Sequence, residues 1–158
     1  LASQVALSDP FDLSELCRGV EAQRGRRIIL VALPLSAAGP CGLWLATDEV
    51  DFICFEEYTS VLHQRHIVLH ELGHILCAHS SPHALHQVLE GLVPMLSREA
   101  LRNMLARQHN RYQHTDELEA EVFAYEVLSR VDRMTRAASI DQQELDVVPR
   151  RILSALEA

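Results

Sequence analysis

The chain has 158 residues, 48% of them apolar and 23% charged, enough for one domain with a full hydrophobic core and too few for two of ordinary size. Fourteen basic residues against 22 acidic ones give a net charge of −8, a sign that does not attract a phosphate backbone, so direct nucleic-acid binding is set aside. All 14 basic residues are Arg, which excludes Schiff-base and lysine-nucleophile chemistry.

Cys17, Cys41, Cys54 and Cys77 lack any C-x-x-C spacing and read as reduced, mostly buried thiols. No leader-like segment opens the chain and no apolar run approaches the roughly 18 residues of a membrane span. A cytoplasmic protein without membrane contact is therefore expected. The first residue is Leu1 rather than Met, which leaves room for a start further upstream.

In chain order, Asp9-Pro10 followed by Asp12 predicts a helix start, with an N-cap acceptor, a proline at the first helical position and an early acid. Leu13, Leu16, Cys17 and Val20 then repeat with helical spacing up to Gly25. Apolar runs at Ile28 to Leu35, Gly42 to Ala46 and Val50 to Phe55 predict three short strands with antiparallel neighbours, the last two joined by a Thr47-Asp48-Glu49 turn. Val50 to Phe55 could form either an exposed edge or the sheet interior. From Ser60 onward the period is helical, with helices expected near 61–78, 83–92, 97–108, 115–134 and 149–157. The fold class is α+β, a small N-terminal antiparallel or mixed sheet followed by a helical layer, in a single domain over 1–158.

Chemistry enters at His70-Glu71-Leu72-Gly73-His74, an H-E-x-x-H motif on an apolar helix. Residues i and i+4 stack one turn apart, so both imidazoles can converge on one ion, with Glu71 bordering the same face. Random placement at this composition gives about 0.04 such motifs. Two neutral imidazoles and a carboxylate suit zinc and leave a vacant position, where the ion lowers the pKa of water towards about 7. Glu71 is the expected general base and acid, passing the water's proton to a leaving amine.

The third ligand decides the subclass. The metzincin pattern needs glycine three residues and histidine six residues beyond His74, where this chain has Cys77 and Ser80. A carboxylate from a later helix is the other solution, and Glu117 and Glu121 share one face of the segment beginning at Thr115. Glu117 is expected to bind the metal and Glu121 to accept the remaining N–H of a ligating His. Ala120 would let the two helices approach closely.

These residues resemble the ImmA/IrrE family of zinc metallopeptidases, whose pattern is a short strand region, H-E-L-G-H, and E-x-E-A-[DN]-x-F-A on a following helix. The likeness runs from about Arg26 to Leu128, carried by 70–74 and 117–124, with Arg65 where the family often has Arg. Glu121 stands in place of the usual Asp or Asn, one methylene longer, and Glu119 remains an alternative ligand. The resemblance implies a gluzincin-like (zincin) arrangement holding one Zn²⁺ and a regulatory endopeptidase. The implied substrate is a helix-turn-helix transcriptional repressor, cut to release stress-response or mobile-element genes. The rival readings are a non-catalytic module that sequesters a regulator on the same scaffold, and a hydrolase of non-peptide amides.

Other residues carry weaker signals. His63 and His66 read as surface histidines, with a role beside the metal ligands or the substrate as the alternative. His79, His83 and His86 form a loose cluster interrupted by Pro82. His109, Tyr112 and His114 are candidates to stabilise an oxyanion. Tyr125 reads as core or as a neighbour of the ligands, and Arg98, Arg102, Arg107 and Arg111 as a solvated helix face.

Overall fold

The computed structural model describes residues 1–34, 41–47, 49–79 and 114–156, with side chains of the last helix described as far as Ser139. The expected helices at 83–92 and 97–108 lie outside the described residues, as do His83, His86, His109, Tyr112 and the four arginines from Arg98 to Arg111.

Helix α1 spans Leu13–Arg24 and buries Leu16, Cys17 and Val20. Its N-cap is Asp12 rather than Asp9: the Asp12 carboxylate accepts from the Ser14 and Glu15 amides at 2.7 and 3.3 Å. Pro10 therefore precedes the helix instead of opening it. Gly25 ends it in the left-handed conformation (φ 66°), which glycine adopts without a Cβ penalty.

Three strands follow: β1 (Arg27–Leu33), β2 (Gly42–Ala46) and β3 (Val50–Glu56). The order is β1-β3-β2, with β1 parallel and β2 antiparallel to β3. The sheet is mixed, and Val50–Phe55 is its central strand, which corrects the edge reading. The tight turn from Thr47 to Val50 dictates the antiparallel pair. β1 reaches the far side of β3, a pairing that neighbours in sequence do not reveal.

Helix α2 (Val61–Leu76) starts at Ser60, whose side chain caps the His63 amide, and buries an almost continuous face from Ile67 to Ile75. Helix α3 spans His114–Leu156. It replaces the two helices expected at 115–134 and 149–157, because no glycine or proline interrupts 115–148 and the helix continues through position 149. The described residues thus form an α+β architecture in which α2 packs between the sheet and α3. Trp44, Ile53, Val68, Leu69, Leu72, Phe123, Ala124 and Val127 share one apolar cluster with the α1 residues. Among the described residues, no helix is long and apolar enough to cross a membrane.

Two contacts fix how the site is assembled. Asp51 is fully buried in β3 and ionically paired with Arg24 at 2.8 Å and Arg26 at 3.1 Å, and it also accepts the Trp44 indole N–H at 3.1 Å. Gly73 of α2 faces Ala120 of α3 so closely that a Cβ at 73 would stand 2.8 Å from the Ala120 Cα. Gly73→Ala is expected to force the helices apart and cost about 1–3 kcal/mol in denaturant unfolding. Unchanged stability would show that the two backbones are not in contact.

Candidate metal centre

The H-E-x-x-H residues lie in the last two turns of α2, and α3 brings its acidic first turns across them. His70 Nε2 and His74 Nε2 are 3.0 Å apart. Glu117 Oε2 is 3.3 Å from His70 Nε2, and Glu117 Oε1 is 3.8 Å from His74 Nε2. A tetrahedral zinc with ligand bonds near 2.0–2.1 Å separates its donors by roughly 3.3 Å, so the three groups stand close to the spacing of a shared ion. His70, His74 and Glu117 form one of two donor groups among the described residues with all ligand atoms within 4.8 Å of one another.

Glu121 lies behind His70, with its Oε2 3.4 Å from His70 Nδ1 and 3.1 Å from His66 Nε2. Glu119 points elsewhere: its Oε2 is 3.1 Å from His79 Nε2. Nδ1 of His79 in turn meets His74 Nδ1 at 2.9 Å. With His74 Nδ1–H donating to His79, and His79 Nε2–H donating to Glu119, every proton in this row has an acceptor and the His74 Nε2 lone pair faces His70 and Glu117. Sequence reading did not find His79 in this place, having grouped it with His83. The signal was its position three residues beyond Leu76, where the last turn of α2 ends.

Glu71 is 6% exposed and held from the sheet side. A Trp44 backbone amide hydrogen bond reaches its carboxylate, while Oε2 is buried without a hydrogen-bond partner. Gly42 makes room for it: a Cβ there would lie 2.8 Å from Glu71 Oε1 and 2.4 Å from Ile67 Cγ2. An orphaned buried carboxylate oxygen beside two converging imidazoles is what a site built for a cation and its water requires.

Other expected residues fall away from the centre. Tyr125 is 69% exposed and so is not part of the core, because its helical position turns it off the Ala120–Ala124 face. His63 is exposed, with Nδ1 3.0 Å from Thr59 Oγ1. His114 is exposed at the start of α3. Arg65 lies over the Phe11 ring at 5.8 Å. The four cysteines are free thiols; Cys17 and Cys54 are buried, Cys41 is exposed and Cys77 is intermediate.

No protein family, curated protein or solved structure matches the chain.

Burial, reinforced by the Glu117 charge, pushes the Glu71 carboxyl up to about 8 in the metal-free protein. Burial also pushes His74 down to about 3, with His70 and His79 adding to the effect. A carboxyl with a raised folded pKa lowers stability as pH rises from its unfolded value of 4.5 towards about 8. A histidine with a lowered one loses stability as pH falls below 6.5. With metal chelated, Glu71→Gln is therefore expected to gain stability over wild type between about pH 5 and 8, by up to about 1.4 kcal/mol per pH unit. Thermal unfolding at several pH values reads that slope, and a flat difference would contradict the burial of an unpaired carboxylate.

Proposed function

We propose that the chain is a zinc-dependent endopeptidase of the zincin type, similar to the ImmA/IrrE family, with His70, His74 and Glu117 as metal ligands and Glu71 as general base and acid. The observation that carries this reading is the convergence of the three donors beside the partnerless Glu71 oxygen. Zinc held there would supply a Lewis acid with open positions, lowering the pKa of water and polarising a carbonyl.

The chain's own groups do the rest. Glu71 Oε2, kept dry and without another partner, takes the proton from the attacking water and returns it to the leaving amine. The Trp44 amide fixes the other side of that carboxylate, and the Asp51 hydrogen bond to the Trp44 indole holds Trp44 in place. Glu121 orients His70 through Nδ1, and the His79–Glu119 pair orients His74. Among the described residues the sheet edge beside α2 is β2, where an extended peptide segment could be held by main-chain hydrogen bonds.

The substrate in this reading is a protein, a helix-turn-helix repressor in the cytoplasm. A net charge of −8 favours encounter with such a basic partner.

Glu71→Gln is expected to retain zinc by elemental analysis and to lose about 10²–10⁴-fold in cleavage. The readout is mass spectrometry of a mixed peptide library and of any helix-turn-helix regulator encoded beside this gene. Wild-type protein that binds zinc, leaves every peptide uncut and yet forms a complex with that regulator would replace the peptidase reading with the sequestering one.

A further inference from the structure

A second set of metal donors gathers just past the end of α2. Cys77, His79 and Glu119 each offer one ligand atom, all within 4.8 Å of one another. The His79 side chain is only 7% exposed, and Asp116 Oδ1 stands 4.0 Å from its Nε2, a further oxygen within reach. The chain turns to place this histidine through Ala78, which adopts φ 56°. The His79 amide donates to the His74 carbonyl at 3.1 Å and the Ala78 amide to that of Ile75 at 3.3 Å, the helix-ending arrangement that glycine ordinarily serves. The alanine Cβ makes that conformation unfavourable, and the turn it makes folds His79 back against His74.

We propose that Cys77, His79 and Glu119 hold a second divalent cation, of the borderline-soft kind represented by zinc or cobalt, coupled to the cleft through the His74–His79 contact. Thiolate and imidazole together favour such ions over magnesium or calcium, which prefer oxygen donors. Binding releases the Cys77 thiol proton and frees His79 Nε2 of the proton it otherwise donates to Glu119, which becomes a ligand instead.

The coupling follows from counting protons, and it alone rests on the reading of His74 as a cleft ligand. A neutral imidazole bound through Nε2 carries its proton on Nδ1. His74 and His79 meet Nδ1 to Nδ1 at 2.9 Å, and that contact has room for one proton. Each ion therefore weakens the other by the same factor.

Cobalt(II) alone, titrated into the full chain, tests this through the near-ultraviolet charge-transfer absorption that marks a thiolate ligand. The band is expected in wild type and in Cys41→Ser, and to be lost in Cys77→Ser and in His79→Ala. His70→Ala, which releases His74 from the cleft, is expected to lower the half-saturating cobalt concentration about fivefold or more. No band in wild type or His70→Ala, or a band that survives Cys77→Ser, would overturn the site. An affinity unmoved by His70→Ala would overturn the coupling. Cleavage is not read here, so failure of the peptidase reading leaves the band in place.

Discussion

The candidate centre exists because two helix backbones touch. His70 and His74 belong to α2 and Glu117 to α3, 43 residues after His74 in the sequence. Glu117 reaches the imidazoles only if α3 lies almost against α2. Gly73 and fully buried Ala120 allow that approach, and any side chain larger than hydrogen at 73 would meet the Ala120 backbone. Gly73 thus lies between Glu71 and His74 for a packing reason. Phe123, Ala124 and Val127 continue the same seam into the core, so hydrophobic burial holds the helices at the distance that the polar groups need.

The opposite wall of the centre is built with charges. Asp51, buried in the middle strand, ties Arg24 and Arg26 at the α1–β1 junction to the indole of Trp44. Trp44 then presents its backbone amide to Glu71. A buried ion pair of this kind contributes little net stability beyond what an apolar replacement would, but losing one partner is costly. It serves to fix where β2 lies against α2. Burial holds the Glu71 carboxyl protonated at neutral pH, where water would ionise it, and keeps the His74 imidazole neutral, with a lone pair free for a metal. A cation held by His70, His74 and Glu117 would offset the penalty on an ionised Glu71, so folding and metal binding are linked.

Much of this was legible in the residues. Spacing alone put His70 and His74 on one helical face, and the acids at 117 and 121 on one face of a later helix. The strand positions came from apolar runs bounded by turn residues, and Gly25 marked the end of α1. What sequence did not yield depends on contacts between distant segments. The parallel β1–β3 pairing places Val50–Glu56 inside the sheet, and nothing local to that strand distinguishes an interior strand from an edge. Asp12 displaced Asp9 as the cap because its carboxylate meets the amides of the first turn, a geometry that acid-and-proline spacing does not specify. His79 was invisible as a partner of His74 because a left-handed alanine, a conformation rarely expected of a residue with a Cβ, carries the chain back. Glu119 and Glu117 differ by two helix positions, and only the packing of α3 sends one to His79 and the other to the His70–His74 pair.

The central claim is that two imidazoles of α2 and the Glu117 carboxylate share one ion. X-ray absorption at the zinc edge tests it most directly, on Cys77→Ser protein carrying one zinc per chain. The account predicts a first coordination shell of two imidazole nitrogens with oxygen completing it, and loss of one imidazole in His70→Ala. A shell without paired imidazoles, or folded protein that retains no zinc on dialysis, would contradict it.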